Sequence, residues 1–255
     1  MSSTLNFRTL YLTLRKDIAY NRRKILIFSV SILSVITITD IIFTVSNAYA
    51  GTNTAFEPFG CLILLAAATI LPSLSFHELA KKPSASRFLT LPASDIEKFA
   101  SRWMLTVPGS ILLLITISLV GDTLSAIIVR LLCDISGDID SGLLHYCTSA
   151  DIMTREEKLC YIAVMLALQS FFFLGALLWP RLSWAKTSGC LMDILIVYTI
   201  VLLVPVLAIS GENATYPAYL NIGLETVTAI CFCITPVNYI ISFFRLKEAE
   251  VINRP

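Results

Sequence analysis

Four acidic residues lie in or beside the apolar stretches of this sequence and are its clearest candidates for chemistry: Asp40, Asp122, Asp193 and Glu225. A carboxylate at the centre of a bilayer costs roughly 2.5–3.5 kcal/mol on insertion scales, so one held there is a candidate for moving protons or substrates. Asp193 falls near the inner end of a predicted span, and the other three fall near outer ends. Two interpretations stay open: the carboxylates line a translocation path, or they are interfacial residues that reach water or headgroups.

Catalytic and nucleotide-binding motifs are missing from the sequence. His77-Glu78 is not followed by a second histidine at the spacing of a zinc protease, and His145 is the only other histidine. No glycine-rich segment ends in Gly-Lys-Ser or Gly-Lys-Thr, so the chain has no phosphate-binding loop. Cys231 and Cys233 point about 200° apart on a helix, which is poor geometry for a shared metal. We therefore expect no enzyme activity, cofactor or metal site in this chain.

The composition is that of a membrane protein. Hydrophobic residues make up 56% of the sequence and charged residues 15%, with a mean hydropathy of +0.78. Soluble domains are roughly 45–50% apolar and about 25% charged, so the composition excludes an ordinary water-soluble fold. The formal net charge of +1 also argues against a nucleic-acid partner.

Six apolar segments are long enough to cross a hydrocarbon core of about 30 Å, which requires about 20 helical residues. They predict an all-α, polytopic membrane domain over residues 25–255, with spans at about 25–45, 58–76, 103–120, 159–179, 190–209 and 220–244. The first segment follows a basic tract and has no small-residue cleavage site after it. We interpret it as an anchored span and not as a removable signal peptide.

The positions of the basic residues predict which side each loop faces. With a cytoplasmic N-terminus, sixteen of the nineteen Lys and Arg fall in inner segments, and only Arg130, Arg155 and Lys158 fall outside. Because Lys and Arg are enriched in cytoplasmic loops, this distribution favours cytoplasmic N- and C-termini. It also requires an even number of spans.

Residues 1–24 predict an amphipathic helix ahead of the first span. Its apolar positions follow the spacing of one helical face: Phe7, Leu10, Tyr11, Leu14 and Ile18. A basic opposite face suits anionic headgroups, so we expect this helix to lie along the cytoplasmic membrane surface before the chain turns inward. The alternative is a soluble N-terminal helix packed on the other loops.

The longest inner connection, residues 77–102, predicts a short helix of its own. Ser94 is a good N-cap, and Glu97 follows it at the spacing of a capping box. Asp95 complements the positive end of a helix, and Pro92 just upstream supports a helix start. We therefore expect a helix that begins after Ser94.

The outer connection, residues 121–158, is acidic and is predicted to be a solvated loop. Residues 123–132 are apolar enough either to extend the third span or to lie on the outer surface. Cys133 and Cys147 flank this loop and could close it with a disulfide in an oxidising compartment. Two free thiols are an equally good interpretation of that pair.

The stretch Phe-Leu-Thr-Leu-Pro-Ala-Ser-Asp-Ile-Glu-Lys, residues 88–98, lies between the second and third predicted spans. Together with the basic N-terminal helix and the first two spans, it resembles the first half of an ABC type-2 exporter permease. The likeness covers roughly residues 4–105. It implies that this loop is a coupling helix that docks on a separate ATPase subunit and that the N-terminal helix is an elbow. The docking residues implied are Leu91, Pro92, Ala93, Ser94, Glu97 and Lys98.

The resemblance also implies the rest of a transport assembly. ATP and Mg²⁺ would be bound by the partner subunit, and two permeases would form a homodimer or heterodimer among the lipids of a bacterial inner membrane. ATP binding would then push the inner loops and switch a shared cavity between inward and outward access. The alternative is a membrane protein that does not depend on ATP, such as a secondary transporter or an assembly or regulatory subunit.

Overall fold

The computed structural model describes residues 6–50, 57–80, 93–133, 154–194, 196 and 216–252. Every regular element among these residues is helical, which confirms the predicted all-α class. The elements are α1 (Phe7–Ala50), α2 (Glu57–Ser73), a 3₁₀ turn (His77–Ala80), α3 (Asp95–Thr106), α4 (Pro108–Cys133), α5 (Arg155–Leu178), α6 (183–194) and α7 (Tyr216–Ile252).

Four helical stretches are long and apolar enough to cross a membrane: Phe7–Val45, Asp95–Leu131, Arg155–Leu178 and Glu225–Ala249. They correspond to the first, third, fourth and sixth predicted spans and agree with a multi-pass membrane protein. The apolar part of α2 that the structure describes, Leu62–Ser73, is shorter than a full span. Most of the predicted fifth span, 190–209, lies outside the described residues. The count of six spans and the side of each terminus stay predictions.

The chain forms two compact units. Unit 1 consists of Met1–Leu71 and Pro92–Lys158, and unit 2 consists of Pro72–Leu91 and Leu159–Pro255. The described parts of unit 1 include α1, most of α2, α3 and α4, and those of unit 2 include most of α5, together with α6 and α7.

In unit 1, α1 is one continuous helix of 44 residues, about 66 Å long at 1.5 Å per residue. The N-terminal helix continues directly into the first predicted span, so α1 has no break near residue 24. That residues 1–24 lie along the membrane surface stays a prediction. No Gly or Pro occurs between Asn6 and Ala50, so nothing in the covalent chain interrupts the helix. A helix of this length is about twice as long as the hydrocarbon core is thick, so part of it must lie outside the core.

The N-terminal part of α1 buries a different face from the predicted apolar one. Leu10, Thr13 and Asp17 are buried, whereas Phe7 and Tyr11 are exposed. The buried positions are spaced three and four residues apart, as expected for the side of α1 that packs on α3. The exposed aromatic side chains remain on the surface of this unit.

The core of unit 1 lies where α1 crosses α4. Ile36 and Ile117 are buried at its centre. Partly buried apolar side chains surround them: Ile32, Leu33, Phe43, Ile63, Leu64 and Leu113. A Cβ atom at Gly121 would lie 2.9 Å from Cγ2 of Ile36, so the missing side chain allows the two helices to approach closely.

A single residue, Val107, separates α3 from α4. Its backbone N–H donates to the Trp103 carbonyl 2.9 Å away, and Pro108 begins α4 at a position where no N–H is needed. From there α4 continues to Cys133, so residues 123–132 extend the third helix and do not form a separate surface segment. Cys147 lies outside the described residues, and its pairing with Cys133 stays a prediction.

In unit 2, aromatic contacts centre on the buried Phe173 of α5. Its ring packs edge to face on Phe76, with centroids 5.2 Å apart, and on Tyr239 of α7, with centroids 5.8 Å apart. One turn of helix away, Asn238 Nδ2 donates a 3.0 Å hydrogen bond to Ser170 Oγ. These apolar and polar contacts together join α5 to α7.

Candidate functional site

The predicted capping box at the start of α3 is confirmed. The Glu97 backbone N–H donates to Ser94 Oγ at 3.3 Å, and the Ser94 N–H donates to Glu97 Oε2 at 2.9 Å. Ser94 has extended backbone angles, as an N-cap residue requires, and α3 begins at Asp95. The helix within the 77–102 loop therefore has a sharply defined first turn.

Glu97 also caps a second helix. Its other oxygen, Oε1, accepts a 2.9 Å hydrogen bond from the backbone N–H of Asn6, immediately ahead of α1. One carboxylate thus receives N–H groups at the starts of two helices, where the helix dipoles favour negative charge. Donation by Ser94, and then by Asn6, lowers the pKa of Glu97 below its ordinary value of 4.5, and burial opposes this shift without outweighing it.

A buried ion pair joins the same two helices three turns along α1. Arg102 Nε lies 3.2 Å from Asp17 Oδ2, and Ser101 Oγ donates to that oxygen at 3.1 Å. The two charged side chains are 3% and 2% exposed. Because both charges lie far from water, each depends on the other for compensation, so the pair constrains how α3 sits on α1.

The predicted docking residues divide into three groups. Leu91 and Pro92 lie outside the described residues, and Ala93 and Ser94 are half-buried at the start of α3. Glu97 and Lys98 are buried, so they cannot form the first contact with a partner in this conformation. The most exposed side chains of α3 are those of Ile96 and Met104, at 37% and 45%.

Sequence reasoning missed the α1 side of this junction. Asp17 is the only acidic residue among the first 24, and it stands in an otherwise basic segment. Such an isolated opposite charge was a usable signal for a buried partner. Nothing local could have identified Asn6, because its hydrogen bond joins residues 91 positions apart.

Two of the four candidate carboxylates come together inside unit 1. Asp40 of α1 faces Asp122 of α4, close enough for direct interaction between the carboxyl groups. Asp40 is 1% exposed and Asp122 is half-buried. Of the two open interpretations, the interfacial one, in which the side chain reaches water, does not fit Asp40 in this conformation, because the crossing of α1 and α4 covers it.

The surroundings of this pair contain hydroxyl groups on the same face of α4. Ser118 and Ser125 are buried one turn before and one turn after Asp122. Ser125 Oγ donates to the Asp122 backbone carbonyl at 2.9 Å. Within the described part of the chain, Ser118 Oγ has no hydrogen-bond partner, and neither does either carboxylate oxygen of Asp40. Buried polar atoms of this kind are rare in proteins and mark a place to look for function.

The other two candidate carboxylates belong to unit 2. Asp193 lies near the end of α6 and Glu225 lies in α7, and both side chains are exposed. Among the described residues, no three His, Cys, Asp or Glu side chains form a metal-binding group.

No known protein family, curated protein or solved structure matches this chain. The resemblance to ABC type-2 permeases therefore rests on the residues and motifs of the sequence alone. The features that bear on function are those motifs and the two buried sites of unit 1.

Proposed function

We propose that this chain is the membrane-spanning permease subunit of an ABC-type exporter in a bacterial inner membrane. A separate ATP-binding subunit would dock on the loop of residues 77–102 and carry ATP and Mg²⁺. The observation that carries the proposal is α3, a capped helix that is fixed to α1 at two points and leads into α4 across one residue.

The two contacts with α1 make α3 suitable for transmitting force. The hydrogen bond from Asn6 to Glu97 holds the start of α3, and the Asp17–Arg102 pair holds its second half. Moving α3 along α1 would separate two charges that stay buried, which is costly because each would lose its partner while still out of reach of water. A push on α3 is therefore expected to move α1 with it.

The same push reaches the membrane through α4. Val107 is the only residue between α3 and α4, and α4 packs closely on α1 around Gly121. Force entering at the loop would thus reach two apolar helices. In a permease this movement switches the cavity between inward and outward access, and two copies of the chain, or this chain and a related one, would enclose it.

The exposed start of α3 gives the test of docking. The full-length chain is tagged in its native host, extracted in mild detergent and examined by mass spectrometry for a protein with a phosphate-binding loop. We expect an ATPase subunit to co-purify, and Ile96→Asp to reduce its recovery more than about tenfold, because loss of an interface anchor costs about 1.4 kcal/mol or more.

The matched control is Ile96→Leu, which keeps an apolar side chain of the same size at the same exposed site. It should leave ATPase recovery unchanged. Recovery of no ATPase from a folded wild-type chain would overturn the proposal, and recovery of a different cytoplasmic protein would instead support an assembly or regulatory subunit.

A second candidate function is a secondary transporter that moves its cargo with protons. The observation in its favour is the buried Asp40 facing Asp122, because acidic residues between membrane helices commonly form proton relays. The two functions differ in their energy source. Absence of an ATPase partner, together with loss of function in Asp40→Asn, would favour the secondary transporter.

A further inference from the structure

Asp40 lies well inside the apolar part of α1, beyond its midpoint and five residues before Val45. It follows Ile25, the start of the apolar part of α1, by fifteen residues, which is about 22 Å at 1.5 Å per residue. Asp122 follows Pro108, the start of α4, by fourteen residues, or about 21 Å. Because the hydrocarbon core is about 30 Å thick, neither position is at the start of its span.

Two ionised carboxylates in this setting would be strongly unfavourable. No N–H or O–H donor in the described structure hydrogen-bonds either oxygen of Asp40. Burial removes water from that side chain, and Asp122 adds a like charge opposite it. Both effects favour the uncharged form of an acid, and a proton held between two carboxyl groups removes one charge and forms one hydrogen bond.

Ser118 provides an observation independent of the carboxylates. It is 1% exposed, and its hydroxyl has no hydrogen-bond partner among the described residues. It precedes Asp122 by four residues and therefore lies on the same face of α4. A buried serine normally donates to a backbone carbonyl of the preceding turn, as Ser110 and Ser125 do. The Ser118 hydroxyl is thus available as a donor or acceptor beside the pair.

We propose that Asp40 and Asp122 form a proton-binding site at the crossing of α1 and α4, with the Ser118 hydroxyl as an adjacent polar group. In the loaded state the pair holds one proton and carries one negative charge. Releasing the proton to water leaves two carboxylates and requires α1 and α4 to separate enough for water to enter. The site would therefore couple proton release to movement of these helices, whichever energy source drives transport.

The surroundings favour a proton over a metal cation. Facing Asp40 from α4 is Asp122, and the described α2 side chains packed on this crossing, Ile63 and Leu64, are apolar. Arg130 lies two turns beyond Asp122 and is exposed. Magnesium and calcium require six or more oxygen ligands, which two carboxyl groups and one serine do not supply.

The test is infrared difference spectroscopy on the full-length chain in lipid nanodiscs. A protonated carboxyl group has a C=O stretching band that is separate from the carboxylate bands. We expect the wild-type chain to show this band at neutral pH and to lose it at alkaline pH. Asp40→Asn and Asp122→Asn should each lose the neutral-pH band, because neither variant retains a second carboxyl group with which to share the proton.

Asparagine is the suitable replacement because its amide can donate a hydrogen bond to the remaining carboxylate, as the shared proton does. The control is Asp193→Asn, which removes an exposed carboxylate from unit 2 and should leave the band unchanged. If one variant fails to fold, the other still decides the outcome. A second measurement on the wild-type chain, the number of protons released between neutral and alkaline pH, should exceed that of the folded Asn variant by about one.

Three results would overturn the proposal. They are a wild-type spectrum without the protonated band, a band that survives in either folded Asn variant, and a band that disappears when sodium is added at fixed neutral pH. The last result would assign the pair to sodium. None of these measurements involves the ATPase partner, so their outcome is independent of the proposed exporter function.

Discussion

Glu97 shows how far a local motif determines the role of a residue. The Ser94-to-Glu97 spacing predicts a capping box, and the structure confirms it because both partners lie within one turn of the chain. The resemblance to ABC type-2 permeases implies that Glu97 docks on a partner, but its side chain is buried. Its third hydrogen bond comes from Asn6, a contact that depends on the packing of α1. The spacing of Ser94 and Glu97 is sufficient to predict the capping box, but it does not predict that Glu97 is buried.

A pair of matched substitutions separates the contribution of the capping box from that of the Asn6 contact. A second capping box begins α5, where Thr154 and Glu157 exchange the same two hydrogen bonds, but both residues are exposed. Glu97→Gln should lower the free energy of unfolding by about 1–3 kcal/mol, because it weakens contacts at two helix starts in a buried setting. Glu157→Gln should cost less than about 1 kcal/mol. Equal losses in detergent unfolding titrations would show that the Asn6 contact adds nothing.

The lowered pKa of Glu97 gives a pH dependence with a definite sign. The folded state binds a proton at Glu97 less readily than the unfolded state does. The ionised carboxylate therefore contributes stability at pH values above the ordinary pKa of 4.5. That contribution is lost as the pH falls through the lower, folded-state pKa. Unfolding measured from neutral pH down to about pH 3 should therefore show a steeper loss of stability in the wild-type chain than in Glu97→Gln. Parallel curves would contradict this assignment.

At the scale of the helices, sequence patterns locate the apolar segments better than the ends of α1. Helices are terminated mainly by Gly, Pro and capping side chains, and residues 7–50 contain neither Gly nor Pro. The change from an amphipathic to an apolar pattern near residue 24 suggests a turn, but a change of surroundings does not break a helix. The buried face of Leu10, Thr13 and Asp17 exists because α3 covers it.

The ion pair between α1 and α3 predicts strong coupling between two substitutions. Asp17→Leu or Arg102→Met alone should lower the free energy of unfolding by about 3–5 kcal/mol, because each leaves a buried charge without its partner. The double variant should be more stable than the sum of these losses predicts, since apolar side chains of similar size replace both charges. Additive losses in a double-mutant cycle would show that the two side chains do not interact.

The close approach of α1 and α4 predicts a steric effect at one glycine. Gly121→Ala places a methyl group 2.9 Å from Cγ2 of the fully buried Ile36, so the helices must shift. We expect a loss of about 1–3 kcal/mol, as is usual for overpacking. Gly189→Ala in α6 has nothing within 4 Å and should be neutral or stabilising by up to about 1 kcal/mol. If Gly121→Ala lowers stability as much in an Ile36→Ala background as in the wild-type chain, the steric explanation is wrong.

For the whole molecule, composition and hydropathy are sufficient to predict a helical membrane protein. Four helical stretches among the described residues have the required length and apolarity. The pairing of Asp40 with Asp122 is beyond sequence reasoning, because it depends on which faces of α1 and α4 meet. The sequence identifies each carboxylate only as a separate candidate. The burial of Asp40 follows from the packing around Ile36 and Ile117, which periodicity alone does not specify.

The distribution of basic residues predicts the side of each loop, and single cysteines can test it. In a variant whose native cysteines are replaced by serine or alanine, Ser86→Cys reports on the inner loop and Ser141→Cys on the outer one. A membrane-impermeant maleimide added to intact cells should label position 141 and not position 86, because Lys and Arg are retained on the cytoplasmic side. Asn213→Cys, between the fifth and sixth predicted spans, should also be labelled. Protection of position 213 with labelling of 141 would mean that the chain crosses the membrane an odd number of times between these positions, and the six-span prediction would then be wrong.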